Sequence, residues 1–459
     1  MASALDVCIL GAGASGLACA VECARGLRRA GDETTRVVVL EAGSKPGRSI
    51  LASGNGRCNF SNLVLSSSKK RGMYRNAEFA EAAAEALGST SAVGVLPWFR
   101  QLGLVWRADD AGLGMLYPYS NKASTVLDVL LAACERWGVE IMPELRISMV
   151  EFVPGECAGF FLKGERAFEK SRTKTAKGRI KRELSWKPVE LRSKKLVLAV
   201  GGALGEEELA SIVPDHDVVA FGPVLTALDV VGEDLLGLDG VRAKVSACVL
   251  EAKPSSESGE RQGQDGACEF QESGEILFRE HQLSGILSFN LSRQLPYGGY
   301  LALDFAPEYD ARDLLDLLTF MAKSTGARTS DELLRGMFAP ALARALARKA
   351  NIAAPAHGHS APSPKSTLPK EDIAELARVI KRFELEVSGA SSTHAPQVHR
   401  GGVAVEQVNP ASLESKKTPG LFVLGEALDV DGPCGGYNLD WAWTSGVLAG
   451  QAIFKEILH

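Results

Sequence analysis

The chain has 459 residues, 46% of them hydrophobic and 23% charged, the balance of a folded globular protein rather than a disordered one. That length exceeds what one hydrophobic core can serve, so two or three domains are expected. Lys and Arg number 51 against 56 Asp and Glu, and the net charge of −5 excludes an overall basic nucleic-acid binder while leaving room for a local patch.

Leu5 to Leu10 opens the chain as an apolar run of the length of a buried parallel strand. It breaks at Gly11-Ala12-Gly13-Ala14-Ser15-Gly16, and Leu17 to Leu27 continues with apolar residues at helical spacing. Strand, glycine turn and helix in this order form the dinucleotide-binding fingerprint. Gly11 makes the tight turn, Gly13 lets a pyrophosphate approach the backbone, and Gly16 lets helix and strand pack closely. The helix N-terminus adds N–H groups and a positive dipole end for the phosphate. Arg36 to Glu41 reads as a second strand ending on an acid, and Glu41 is placed to accept hydrogen bonds from a ribose. The Gly11-to-Glu41 interval exceeds the usual length of about twenty residues, which Arg28 to Thr35 fills as a long loop.

Two polar glycine loops follow, Ala42 to Arg48 and Ser53-Gly54-Asn55-Gly56-Arg57-Cys58-Asn59-Phe60-Ser61-Asn62. Their small and amide residues suit backbone wrapped against a flat polar ligand. Ala77 to Leu87, Ala92 to Leu102 and Ala123 to Trp137 read as helices; in the third, Val126, Leu127, Leu130, Leu131, Cys134 and Trp137 form the buried stripe. Val139 to Ile141 and Arg146 to Phe152 read as strands, and Gly159 to Leu162 and Leu184 to Leu191 as a hairpin. Lys195 to Gly202 is one more buried strand ending in a glycine turn. Lys163 to Lys195 carries thirteen Lys and Arg against four Glu, a balance of +9, and reads either as a solvated hairpin tip or as an anion-attracting arm for nucleic acid.

Val218 to Phe305 is rich in β-branched alternation, with strands expected at Val241 to Leu250, Ile276 to Phe278, Ile286 to Leu291 and Tyr300 to Phe305. Ser255 to Gly266 is polar and low in complexity, the composition of a disordered segment. Leu314 to Lys323, Ser330 to Asn351 and Ile373 to Phe383 read as helices, interrupted by a Pro-, Ala-, Ser- and His-rich linker, Ala353 to Pro369. His357 and His359 in that linker have no acidic or cysteine partner nearby, so no metal site is read. Val398 to Val403 returns to the glycine-rich style. Gly420 to Glu426 is a buried strand ending on Gly-Glu, and Asp429 to Asn438 leads into a last helix, Leu439 to Ile457.

One fingerprint at the N-terminus, a late strand ending Gly-Glu, and a glycine loop before the last helix is the arrangement of flavin-adenine-dinucleotide proteins. Ser53 to Asn59 and the stretch Gly425-Glu426-Ala427-Leu428-Asp429-Val430-Asp431-Gly432-Pro433-Cys434-Gly435-Gly436-Tyr437-Asn438 resemble the signature blocks of the YhiN-like flavoproteins, also called the BaiN/RdsA family. Tyr117-Pro118 with Lys122 to Ser124, Gly274 to Phe278 with Leu283 to Gly285, and Asn409-Pro410 with Leu413 to Lys416 fall in the family's order, so the resemblance covers nearly the whole chain. It departs at Val200, where the family has Thr, at Gly205 to Ala210, which replaces a Thr-Gly-Ser-Thr-Gly-Asp-Gly type stretch, and at Cys434, where Thr is common.

The resemblance implies an α/β chain with a Rossmann-like FAD-binding domain formed by both chain ends, residues 1–205 and 396–459. Inserted between them are a small antiparallel, barrel-like β domain, 206–308, and a helical segment, 309–395. It places Gly11, Gly13, Ser15 and Gly16 on the pyrophosphate and Glu41 on the adenosine ribose. Arg48, Asn55, Gly56 and Arg57 lie along the cofactor, with Ile147 at the adenine. Gly425 and Glu426 come to the ribityl end, and Gly435, Gly436, Tyr437 and Asn438 beside the isoalloxazine; Gly201 is a further cofactor-binding residue.

The activity implied is that of an FAD-dependent oxidoreductase reducing an activated carbon–carbon double bond, with a uridine of large-subunit ribosomal RNA as substrate. A steroid enone, an amine, or a flavin-carrying RNA-binding protein with little turnover are the alternatives. Cys58, Cys434, Tyr437 and His399 are the candidate proton donors. A single fingerprint implies that NAD(P)H, as reductant, docks transiently. No apolar run reaches the roughly eighteen residues of a membrane span, and Met1 to Leu10 shows no signal-peptide pattern. Nine cysteines, odd in number and without a C-x-x-C pair, point to a reducing cytoplasm rather than a disulfide framework.

Overall fold

The computed structural model describes residues 3–66, 72–90, 94–109, 112–155, 158–174, 180–251, 267–352, 367–391 and 396–459. Ser255 to Gly266, His357, His359 and the tip of the basic arm at 175–179 lie outside the described residues. The chain forms two compact units, residues 1–222 with 398–459, and residues 223–397.

The first unit runs through β1 (Ser3–Leu10), α1 (Ala14–Arg29), β2 (Val37–Glu41), α2 (Arg48–Ala52), β3 (Ser61–Asn62), α3 (Ala77–Thr90), α4 (Val95–Leu102), β4 (Trp106–Ala108), β5 (Met115–Pro118), α5 (Ala123–Arg136), β6 (Glu140–Pro143), β7 (Leu145–Val153), β8 (Gly159–Lys174) and β9 (Ile180–Leu198). Its main sheet has the order β6-β2-β1-β9-β8-β7. β1 is flanked by parallel neighbours on both sides, Val7 opposite Val37 and Leu10 opposite Leu198. That double burial is why its sequence is a continuous apolar run rather than an alternating one. β8 stays on the β9 edge as far as the Phe160–Ser193 pair; from Leu196 onward the strand Leu421–Val423 takes that edge in parallel. The late strand therefore completes the N-terminal sheet, and the two ends of the chain make one core.

Glu22 of α1 ties three helices together from a buried position. It accepts from Trp98 Nε1 of α4 at 2.9 Å and from Gln451 Nε2 of the C-terminal helix Tyr437–Leu458 at 3.3 Å, and it pairs with Arg25 at 2.6 Å. A buried carboxylate needs such partners to offset its lost hydration. A separate antiparallel sheet, ordered β3-β5-β4, stands beside the glycine loops.

The second unit is built on a closed antiparallel barrel of the strands Leu228–Val230, Gln282–Ser284, Cys268–Phe278, Arg242–Leu250, Gly299–Asp304 and Phe383–Ala390. Val245, Ile276, Phe278, Leu301 and Phe383 fill its core, on which the helices Ala311–Thr325 and Lys370–Lys381 add Leu314, Leu318, Leu376 and Ile380.

Four local expectations are corrected. Ile286 to Leu291, expected as a strand, is the helix Ile286–Ser292, because Leu287 and Leu291, four apart, are its buried pair. Ser330 to Asn351 is two helices, Ser330–Leu334 and Pro340–Lys349, with Pro340 opening the second. The helix expected through Phe383 stops at Lys381, and Phe383, Leu385 and Val387 then alternate inward as a barrel strand. Cys248 and Cys268, on adjacent strands with Cα atoms 5.7 Å apart, are joined as a disulfide where free thiols were expected.

Candidate cofactor and catalytic site

The parallel strands β1, β2, β9 and Leu421–Val423 all end on the same side of the sheet, where ligands of doubly wound folds bind. Gly11, at φ +105°, takes the left-handed turn after β1, and a Cβ on Gly16 would lie 2.0 Å from the Gly11 carbonyl oxygen. Gly13 differs: a Cβ there would meet only Ser49 Oγ, at 3.3 Å, so its backbone faces open space. Gly13 is also the N-cap of α1 and has no side chain to occupy the first helical N–H groups, which leaves them to an anion. Buried Ser15 sits against Gly425, where a Cβ would come within 3.0 Å of its hydroxyl oxygen.

Glu41 closes the adenosine side. Its carboxylate accepts from Ala12 N at 3.0 Å and from Gly43 N at 2.6 Å, one bond to each oxygen. Each oxygen keeps a further lone pair for a ribose hydroxyl. Arg48 lies beside Gly43, and Glu144 N donates to the Gly43 carbonyl at 2.9 Å, which brings the start of β7, with Ile147, next to the same turn. An open glycine turn, free helix N–H groups and a fixed acid fit the pyrophosphate and ribose of an adenine dinucleotide.

The second half of the site is two glycine loops fastened to each other. In the N-terminal loop Gly54 and Asn55 adopt left-handed conformations, and Asn55, Gly56 and Arg57 are exposed. Asn59, with its amide oriented to suit its neighbours, accepts from Gly436 N at 3.1 Å. Ser61 Oγ donates to buried Asp440 at 2.7 Å, and Asn62 Nδ2 to the Gly435 carbonyl at 2.9 Å. Asn438 closes the C-terminal loop on itself, accepting from Gly432 N and donating to Gly432 O, both at 2.8 Å. Two buried carboxylates anchor that loop from behind. Asp429 receives Arg75 Nε at 2.8 Å and Gly401 N at 3.1 Å, and Asp431 receives Arg400 Nε at 3.3 Å. Arg75 and Asn76 escaped the sequence reading because Met73 to Asn76 shows neither periodicity nor a motif; the only signal was that Asp429 and Asp431 need cations if buried.

The four proton-donor candidates separate. Cys58 is fully buried, and burial pushes its thiol up to about 11, opposite to the lowered value that thiolate chemistry needs. Cys434 is half-buried on the C-terminal loop. Tyr437 stands edge-on to Tyr74 at 5.8 Å, and its hydroxyl lies 3.3 Å from Met73 Sδ. His399 sits apart from these, against Gly202 and Glu426. Its backbone N–H donates to Glu426 Oε1 at 2.5 Å, and its ring Nδ1 is 3.6 Å from the same oxygen, so the carboxylate holds the imidazole above its ordinary pKa. Gly201, Gly202, Gly425, Glu426 and His399 thus form one cluster, and Cys434, Gly435, Gly436 and Tyr437 a second.

The basic arm is β8 and β9 paired out to Lys174–Ile180. Much of its charge is neutralised internally: Lys170 pairs with Glu183, Arg172 with Glu169, Arg182 with Glu144 and Glu169, Lys194 with Asp6, and Lys195 with Glu456. Lys163, Arg166, Lys187 and Arg192 make no ion pair among the described residues. Among those residues there is also no cluster of metal-ligating side chains and no helix long and apolar enough to cross a membrane.

A model of the HI0933-like protein Rossmann domain matches residues 5–452. A 3-dehydro-bile acid Δ(4,6)-reductase of Clostridium scindens is 30% identical over 97% of this chain and 98% of its own length. A ribosomal RNA dihydrouridine synthase of Escherichia coli K12 is 25% identical, covering 97% of each chain. Among solved structures, a 3-ketosteroid Δ4-(5α)-dehydrogenase of Rhodococcus jostii RHA1 aligns over 98% of this chain and 97% of its own with 15% identity and a TM-score of 0.46.

Proposed function

Because the chain belongs to the HI0933-like Rossmann family, we propose that this FAD-dependent oxidoreductase reduces a carbon–carbon double bond conjugated to a carbonyl, with a uridine of large-subunit ribosomal RNA as its substrate. The supporting observation is chemical. Both full-length relatives are named for reductions of the same kind, since the 5,6-bond of uridine and the Δ4 bond of a 3-oxo steroid are each conjugated to a ketone or amide carbonyl. Bound FAD would supply the hydride, which the protein itself cannot. Gly11, Gly13, Ser15, Gly16 and Glu41 would hold the adenine dinucleotide end, and Gly425, Glu426, Gly435, Gly436, Tyr437 and Asn438 the flavin end. The chain's remaining task is to place a proton donor at the carbon beside the carbonyl; Cys434 and Tyr437 on one loop, and His399 with Glu426, are the groups placed to do it. NAD(P)H is the proposed reductant, docking from solvent, and the cytoplasm the proposed compartment. The arm's cations Lys163, Arg166, Lys187 and Arg192 supply long-range attraction for RNA.

The steroid enone is the second reading, favoured by the higher identity to the bile-acid reductase. Incubation of the holoprotein and NADH with a large-subunit RNA transcript, and separately with a 3-oxo-Δ4 steroid, followed by mass spectrometry of nucleosides and steroids, decides between them: dihydrouridine supports the first reading, saturated steroid alone the second.

A further inference from the structure

We propose that the outer face of the β3-β5-β4 sheet is a docking strip for single-stranded RNA flanking the target base; this rests on the RNA reading of the site. The register sets its composition. Asn62 pairs with Met115 and Arg107 with Tyr117, and Tyr119 N donates to the Val105 carbonyl at 2.8 Å. Residues paired in this way share a face, and alternate residues along β5 share it too. Asn62, Met115, Tyr117, Arg107, Tyr119 and Val105 therefore form one row, buried at Asn62 and Tyr117 and exposed at Arg107, Tyr119 and Val105, while Leu116 and Pro118 are buried on the other face and Trp106 packs onto Phe60.

The row starts at the C-terminal glycine loop and runs out to solvent. Its inner end is fastened there by the Asn62–Gly435 hydrogen bond, and a Cβ on Gly435 would lie 3.8 Å from Met115. At its outer end Tyr119 and Val105 are each 64% exposed. From Tyr117 to exposed Tyr119 the strand advances about 7 Å, the length of about two stacked nucleotides at roughly 3.4 Å each.

Two guanidinium groups lie over rings of this row, Arg57 over Tyr117 at 4.9 Å and Arg107 over Tyr119 at 5.3 Å. Neither makes an ion pair among the described residues. Asp109, the carboxylate described on this sheet, is held by the N–H groups of Leu113 and Met115 at 3.3 and 2.9 Å. An exposed Tyr ring beside unpaired guanidinium charge is what unstacked bases and their phosphates recognise. An uncharged steroid would have to desolvate two guanidinium groups without an anion in return. The strip also differs from the β8–β9 arm, where Lys170, Arg172, Arg182, Lys194 and Lys195 are paired within the protein.

The test uses flavin-loaded protein, a labelled single-stranded oligouridine and fluorescence anisotropy over a series of salt concentrations. Both mutated side chains are exposed, so melting temperature and flavin content should stay at wild-type values. Arg107→Ala/Tyr119→Ala should bind about tenfold or more weakly, by loss of base stacking, and its log–log salt slope should fall by about 0.7 for the lost phosphate contact. Tyr119→Phe, which keeps the ring, should bind like wild type. If the wild type binds and reduces uridine in RNA while the double variant binds within about twofold with an unchanged slope, the strip is overturned and the RNA reading stands. If the wild type neither binds oligouridine nor forms dihydrouridine, the RNA reading fails and the strip with it.

Discussion

Asn62 Nδ2 donates to the Gly435 carbonyl at 2.9 Å, joining two loops that are 373 residues apart in sequence. The same amide donates to Leu113 O at 3.2 Å and its oxygen accepts from Val64 N at 3.0 Å, so one buried side chain ties the C-terminal glycine loop to the N-terminal one. Asn62→Ala leaves that carbonyl unpaired at a cost of about 1–3 kcal/mol. Flavin affinity should fall accordingly while the far side of the sheet stays intact, measured as an FAD dissociation constant beside far-UV circular dichroism. Unchanged affinity would mean that the loop's other contacts, through Asn59, Ser61, Asn438 and the Asp429 and Asp431 anchors, hold it without Asn62.

The glycines of the fingerprint should separate by phenotype. Gly13→Val meets only Ser49 Oγ within the protein and should give a folded chain that does not retain FAD. Gly16→Val would drive its Cβ to 2.0 Å from a backbone oxygen and should fail to fold, whatever the flavin supply. Soluble yield and bound-flavin absorbance read the two outcomes, and a Gly13→Val protein that stays yellow contradicts the placement of the pyrophosphate.

The architecture of the first unit was legible because it is written in local signals. The Leu5 to Leu10 run is a strand, the Gly11–Gly16 turn opens a helix, Val37 to Glu41 is the next strand, and the last helix follows the glycine loop at Tyr437. The barrel was harder. Leu287 and Leu291 are four apart, a helical spacing, but the run is too short to outvote its β-rich surroundings. The cluster behind the C-terminal loop was not legible at all, since Arg75 and Asp429 are 354 positions apart and an isolated Arg carries no partner label. Nor does a count of +9 on the arm show that Lys170, Arg172, Arg182, Lys194 and Lys195 face carboxylates, which depends on strand register.

His399 should titrate above the ordinary histidine value of about 6.5, because the Glu426 carboxylate favours its protonated form. A pKa raised on folding stabilises the folded state below the unfolded value, and that contribution is lost as pH rises through the folded one. The stability difference between wild type and His399→Gln should therefore be largest in mild acid and shrink toward alkaline pH. Denaturant titrations across that range check it; a difference that grows with pH would reverse the assignment.

Thiol labelling should discriminate the two loop cysteines. Cys58 is fully buried with its thiol pushed up to about 11, so a mild alkylating agent near neutral pH should leave it intact while half-buried Cys434 is modified. Peptide mapping by mass spectrometry reads the sites. Cys58→Ser should keep substrate-driven flavin reoxidation near the wild-type rate, whereas loss of the true proton donor at Cys434, Tyr437 or His399 should slow it by about 10²-fold or more.

The central claim is that reduced flavin on this protein passes its hydride to a double bond conjugated to a carbonyl. The direct measurement is anaerobic: photoreduce the purified holoprotein, mix it with large-subunit RNA transcript, with a 3-oxo-Δ4 steroid, or with buffer, and follow return of the oxidised flavin spectrum. The account predicts rapid reoxidation by the RNA with stoichiometric dihydrouridine; reoxidation by neither acceptor beyond the buffer rate would contradict it.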